Sequence, residues 1–331
     1  SCRAHQRAWM TEHRHLRGTR SGGALPTTIT SHLLSRTLMM TDAPKLLIDG
    51  IYFGEGPRWH DGRLWFSDFY AQKVHSVSLA GDLRTELEID DRPSGMGWMP
   101  DGSLLVVSMT KRQVLRRRPD GRLTVHADLG GIATFHCNDM VVDAAGRAYV
   151  GNFGFDLDHH LETRGPAAVI ADHVAAKLAC VLPDGTVTVA ASDMHFPNGT
   201  VITPDGRTLI VGETLAGCLT AFDIAGDGGL SNRRIWATTW PRVPDGIALD
   251  TEGAIWIANP LAPECARISE GGAVLQVIDT AEPCYACMLG GDDGRSLFMF
   301  TAPSSSASVA SAAPKGRLLV MKVAAGRAGR P

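Results

Sequence analysis

The chain has 331 residues, 44% of them hydrophobic and 20% charged, a balance that excludes global disorder. Its net charge of -3 lacks the basic excess of a duplex-binding protein, and no run approaches the roughly 18 apolar residues of a membrane helix, so neither nucleic acid nor membrane is expected as a partner. The 36 Gly and 18 Pro show no collagen-like period and signal many tight turns, hence many short strands.

In chain order, residues 1–40 come first. They hold six Arg, four His, the single acid Glu12 and no Lys, without the apolar core of a secretory signal. Such a start resembles an organellar transit peptide. Translated sequence upstream of a start at Met39 or Met40 is the favoured explanation. Residues 1–44 are therefore expected to be a poorly ordered extension without chemistry.

From residue 45 to 323 one unit recurs: a short apolar run, a turn of the x-Asp-Gly type, and a second apolar run. The turns fall at His60-Asp61-Gly62, Pro100-Asp101-Gly102, Ala144-Ala145-Gly146, Pro204-Asp205-Gly206, Thr251-Glu252-Gly253 and Asp292-Asp293-Gly294. Their glycines are 40, 44, 60, 47 and 41 residues apart, the spacing of propeller blades. Asp-Gly between apolar runs supplies the positive φ of a hairpin turn. The runs that follow, such as Leu104–Ser108, are almost continuously apolar, as strands buried on both faces are. Six turns predict an all-β fold, a six-bladed β-propeller with four strands per blade.

The long interval places an insertion at about 155–178, expected to carry a short helix and to project beside a site. Residues 324–331 read as a tail. The seven cysteines are irregularly spaced and do not form a disulfide framework, which points to a reducing, cytoplasmic setting. Cys284-x-x-Cys287 has no second pair and no helix-opening context, so a zinc or redox role is not expected.

A propeller encloses a central channel, and the starts of its innermost strands meet at one mouth. Four of the six segments before the turns carry an oxygen donor at a matching place: Glu55, Asn138, Asn198 and Asp245. Two carboxylates and two amides are hard ligands that suit one divalent cation, Ca²⁺ first, with Zn²⁺, Mn²⁺ or Fe²⁺ as alternatives. Asn-Gly and Asp-Gly also form turns, but four donors at one phase of a repeat favour a site.

These motifs resemble the SMP-30/gluconolactonase/luciferin-regenerating-enzyme (LRE) family. The match runs through Phe53-Gly-Glu-Gly-Pro-Arg-Trp59, Asn138-Asp139 with Val141–Arg147, Phe196-Pro-Asn-Gly199 with Pro204-Asp-Gly206, and Val243–Asp250. The resemblance implies a six-bladed propeller holding one catalytic divalent metal. It implies Glu55, Asn198 and Asp245 as ligands, with Asn138 a fourth ligand or a substrate contact. It implies hydrolysis of sugar lactones and related cyclic esters. Sugar lactonases often carry Arg two residues before the Asn of the third motif; His136 stands there and puts gluconolactone itself in question. Asp156 falls near an acidic substrate contact, and Asn152, Phe153 and His195 are further candidates for the pocket. Trp59, Trp65, Trp98 and Trp256 are expected in the blade core.

The expected reaction is opening of a small-molecule lactone with a metal-polarised carbonyl and an activated water, with Asp245 as base. A nucleophilic serine elbow and nucleotide-binding glycine loops are missing from the sequence. The alternatives are a non-enzymatic, calcium-stabilised binding propeller and a phosphotriesterase-type hydrolase. A monomer or small homo-oligomer is expected.

Overall fold

The computed structural model describes residues 43–331, so the expected extension at 1–44 falls almost wholly outside the described residues. Twenty-four strands form six four-stranded antiparallel sheets arranged as a six-bladed propeller. The innermost strands are β2 (Gly54–His60), β6 (Pro93–Trp98), β10 (Cys137–Val142), β14 (Pro197–Ile202), β18 (Ile247–Leu249) and β22 (Cys284–Gly290). Each packs against the next, and β22 returns to β2, closing the ring. The last sheet has the order β1-β24-β23-β22. Its outermost strand, β1 (Lys45–Ile51), comes from the start of the described chain and pairs with β24 (Gly316–Lys322), while β23 (Ser296–Thr301) lies within the sheet. Pairing β1 with β24 closes the ring within one blade and removes its open seam.

The local chemistry of the repeat explains the blades. At the first inner hairpin Asp61 and Gly62 both have positive φ, 47° and 73°, as a two-residue primed turn requires. In the other five inner turns only the glycine is left-handed. There a carboxylate completes the turn in place of a second positive φ: Asp101 Oδ1 accepts from Ser103 N at 2.9 Å, and Asp205 Oδ1 accepts from Arg207 N at 3.0 Å.

Burial then sorts the strands by distance from the axis. The second strand of a blade, such as β7 (Leu104–Ser108) or β19 (Ile255–Asn259), is buried along its whole length. The outermost strand, such as β5 (Leu83–Glu88), is largely exposed. The core lies between neighbouring sheets. Leu105, Met140 and Val150 meet there in one cluster, each 0–1% exposed. Each such side chain contributes about 1.5–3 kcal/mol of burial. Trp59 stacks on Phe298 across a blade boundary at 5.7 Å, and Trp256 is buried; none of the four tryptophans named above lines the cavity described below.

Two features bring the inner strands together at the axis. A register shift interrupts β2, β6, β10, β14 and β22 near their first residues. Such bulges re-aim side chains at the rim of a sheet. Glycine then lets adjacent strands touch. A Cβ on Gly199 would stand 2.4 Å from Asp245 O, and one on Gly95 would stand 2.2 Å from Met140 N.

The insertion lies between β11 (Ala148–Asn152) and β12 (Ala176–Val181) and holds two short helices, α1 (Leu157–Arg164) and α2 (Pro166–Ala171). Asp156 caps α1, accepting from His159 N at 3.1 Å. At the opposite mouth, the last residues of the chain cross the ends of the inner strands. Ala328 N donates to Leu249 O at 2.9 Å, and Arg330 N and Ile202 N exchange hydrogen bonds with each other's carbonyls at 2.8 and 2.7 Å. Arg327 Nη1 reaches Trp59 O at 3.0 Å.

Cys137, Cys180, Cys265, Cys284 and Cys287 are free and buried. Cys284 and Cys287 lie in β22 with their thiols turned to backbone carbonyls, Cys287 Sγ to Gly246 O at 3.4 Å. Among the described residues no helix is long and apolar enough to cross a membrane.

Candidate active site

The mouth lined by the starts of the inner strands opens into a cavity of about 320 Å³, within the usual range of small-molecule sites. Glu55, Asn138, Asn198 and Asp245 all line it. The first three are each the second residue of an inner strand, β2, β10 and β14; Asp245 stands two residues before β18. All four side chains are buried.

The floor is a connected polar array. Ser94 Oγ donates to Asn138 Oδ1 at 3.3 Å, and Asn138 Nδ2 donates to Asn198 Oδ1 at 2.9 Å. Asn198 Nδ2 donates in turn to Asp245 Oδ1 and, at 3.2 Å, to Thr214 Oγ1. The Thr214 hydroxyl donates to Pro244 O at 2.7 Å, which fixes its acceptor side toward Asn198. Glu55 is more lightly held, its Oε2 accepting from the adjacent Gly56 N at 3.3 Å.

Charge is out of balance on this floor. Burial first, then the charges of Asp245 and Asp139, hold the Glu55 carboxyl well above the usual carboxylate range. Burial likewise raises Asp245, assisted by Asp139 and opposed by the hydrogen bond from Asn198. Asp139 has its own cation: Arg58 Nη2 meets Asp139 Oδ1 at 2.9 Å, while Arg58 Nε is held by Met96 O at 2.9 Å. No Lys, Arg or His pairs with Glu55 or Asp245 among the described residues. Two buried carboxylates without a counter-ion call for a positive charge between them. The surrounding donors are amide and carboxylate oxygens, which suit a hard divalent cation. The donor set is mixed, and among the described residues no three His, Cys, Asp or Glu side chains gather to hold a metal by themselves. Glu55, Asn198 and Asp245, with Asn138 beside them, are thus the residues that fit such an ion.

The other sequence candidates divide. His136 lines the cavity, stacked on Phe135 at 4.0 Å and edge-on to Phe153 at 6.3 Å. Burial, then the charge of Arg92, pushes its pKa down, so it is neutral at pH 7. Asp156 lines the rim but is engaged as the cap of α1. Asn152 does not line the cavity: its Nδ2 donates to Lys177 O at 2.7 Å and its Oδ1 accepts from Gly154 N at 3.0 Å, bracing the root of the insertion. His195 also lies off the cavity, with Nδ1 facing His173 Nε2 at 3.1 Å.

Sequence reasoning missed Thr214, Arg92, Tyr285 and the Arg58–Asp139 pair. Thr214 follows Glu213, the last residue of β15 (Thr208–Glu213), where the second strand of the fourth blade reaches the mouth. Its place beside Asn198 is readable only once strand pairing is known. Burial pushes the Tyr285 phenol up to about 12, keeping it neutral and able to donate. Arg58 lies inside the quoted Phe53–Trp59 motif, but its spacing carries no sign of its partner, 81 residues away.

The family model described as the SMP-30/Gluconolactonase/LRE-like region matches residues 53–303. A regucalcin from Danio rerio is 29% identical over 267 residues, covering 75% of this chain and 82% of that protein. The pentonolactonase XacC from Haloferax volcanii is 28% identical over 260 residues, covering 75% and 81%. In three dimensions the chain superposes on a calcium-binding protein, regucalcin, from Agrobacterium tumefaciens with a TM-score of 0.70 at 21% identity, covering 88% of this chain and 97% of the other.

Proposed function

The chain belongs to the SMP-30/gluconolactonase/LRE-like family, and from that premise we propose that it is a lactonase, opening a cyclic ester at the floor formed by Glu55, Asn138, Asn198 and Asp245. The observation that carries this reading is the pair of buried, unpaired carboxylates set among amide donors at the closed end of a small-molecule cavity. A relative named pentonolactonase supports the reaction class, and the name regucalcin is consistent with a calcium-type ion. Of the possible cations, Ca²⁺ fits the hard donor set best.

A divalent cation bound by Glu55, Asn198 and Asp245 would supply Lewis-acid polarisation of the lactone carbonyl. The residues of the chain do the rest. Asn138 and Asn198 orient one another, so the amide of Asn198 is presented to Asp245 Oδ1 and fixes that carboxylate. Asp245 takes the proton of the attacking water. The neutral imidazole of His136 and the phenol of Tyr285 border the substrate and donate hydrogen bonds to it. The surrounding wall limits competing water.

The test is proton release from a panel of lactones by chelator-treated protein, with and without added divalent ions. Turnover restored by an ion is the expected result. No turnover with any ion, while calcium still raises the melting temperature, overturns the lactonase reading in favour of a calcium-stabilised binding propeller. Turnover of phosphotriesters instead would reassign the same floor to that chemistry.

A further inference from the structure

Above its floor much of the cavity wall is hydrocarbon. Phe53, Phe153, Phe196 and Tyr285 form an aromatic belt, with Phe53 and Tyr285 at 4.8 Å between ring centres and Phe153 and Phe196 at 4.6 Å. The insertion completes the wall. Leu157 and Leu161 line the cavity from one face of α1, a spacing of four residues that puts both on the same side of a helix. Both are half-buried, although no residue of α1 is fully covered, so the face they present is the face of the pocket.

Part of the polar surface of the wall is already engaged. The Tyr70 hydroxyl donates to Ser305 O at 3.3 Å, Asp156 caps α1, and the Arg92 guanidinium lies over the Tyr70 ring at 5.0 Å. A polyhydroxylated lactone would bring several hydroxyls into this space. Those set against the belt and the Leu157–Leu161 face would lose water without gaining a partner, and unpaired buried hydroxyls weaken binding strongly. An alkyl or aryl group would exchange water for the belt with no such loss.

We propose that the substrate is a lactone whose ring carries an apolar substituent, an alkyl chain or an aryl group, seated between the aromatic belt and the Leu157–Leu161 face of α1. The proposal rests on the lactonase reading and adds the class of lactone. The ester group lies on the polar floor and the substituent rises along the wall. Ring opening adds water across the acyl C–O bond: the hydroxyl goes to the acyl carbon and the proton to the ring oxygen, giving a hydroxy acid.

The test compares kcat/KM for δ-decalactone, unsubstituted δ-valerolactone and glucono-δ-lactone under the ion conditions that give the highest turnover. δ-Decalactone is expected to exceed each of the others by about tenfold or more. Leu161→Asn is expected to reduce the ratio of δ-decalactone to δ-valerolactone by about tenfold, a ratio that general loss of folded protein leaves unchanged. Preference for glucono-δ-lactone, or an unchanged ratio in both Leu161→Asn and Leu157→Asn, overturns the proposal. If no lactone is turned over, the lactonase reading fails instead. Calorimetric titration with the two open hydroxy acids, the alkyl one and gluconate, then reads the pocket directly: tighter alkyl binding sustains the apolar site and tighter gluconate binding ends it.

Discussion

Glu55, Asn138, Asn198 and Asp245 come from four blades at one phase of the repeat, whereas Leu157 and Leu161 come from a single excursion between two strands of one blade. The four floor residues sit on close-packed strands, and hydrogen bonds join Asn138, Asn198 and Asp245 side by side. The two leucines are held by a helix with no fully buried residue. Chemistry that needs fixed oxygens sits where the ring enforces position. On the reading proposed above, selection among substrates falls where sequence can change without disturbing the blades.

Substitutions on the two sides should separate cleanly. Arg58→Met removes the cation from beneath the floor and leaves Asp139 as an unpaired buried charge; a loss of about 3–5 kcal/mol of stability is expected, read by denaturant unfolding. A loss below about 1 kcal/mol would mean that Asp139 takes up a proton readily and that the pair is dispensable. Asp245→Ala should keep the fold and lower kcat/KM at least about a hundredfold, the scale of a lost general base. Near-wild-type turnover with metal still bound would remove Asp245 from the role of base. On the wall, Leu161→Asn should cost under about 1 kcal/mol of stability, because the helix is surface-mounted; a cooperative loss several times larger would make the insertion part of the core.

The smallest effect concerns His136, at the junction of floor and wall. Burial and Arg92 lower its folded pKa below the ordinary 6.5 of the unfolded chain. Below that value the unfolded state binds the proton more readily, so its contribution to stability is present above about pH 6.5 and fades as the pH falls through it. The melting temperature of the ion-saturated protein should decline between pH 7.5 and about 5.5, and less steeply in His136→Asn. Equal slopes would place the titration at other buried histidines, His75 among them.

The contrast also explains what was legible in the sequence. The x-Asp-Gly turns are local, and their spacing yields the six blades. Once the blades are counted, the phase of the repeat brings Glu55, Asn138, Asn198 and Asp245 together. Asn152 and His195 share that neighbourhood in sequence, but a side chain's direction depends on the bulges and backbone contacts around it. Those contacts turned Asn152 to Lys177 O and His195 to His173. Long-range partners left no trace at all: Arg58 and Asp139 are 81 residues apart, and nothing periodic links them. Phe53 and Phe196 of the apolar wall stand in the quoted motifs and Phe153 beside Asn152, but the contribution of Leu157 and Leu161 was hidden, since it comes from an insertion that the repeat does not describe.

The crossing of the far mouth by the end of the chain has a consequence for the site. Hydrogen bonds from residues 327–330 to Trp59, Ile202 and Leu249 span the ends of inner strands in three blades. Residues 327–330 therefore strap three blades to one another at the mouth away from the insertion. That strap fixes the spacing of the blades from the side opposite the proposed site. A floor whose oxygens come from four blades keeps its geometry only while those blades keep their spacing, so the end of the chain acts on the site from the far side of the ring.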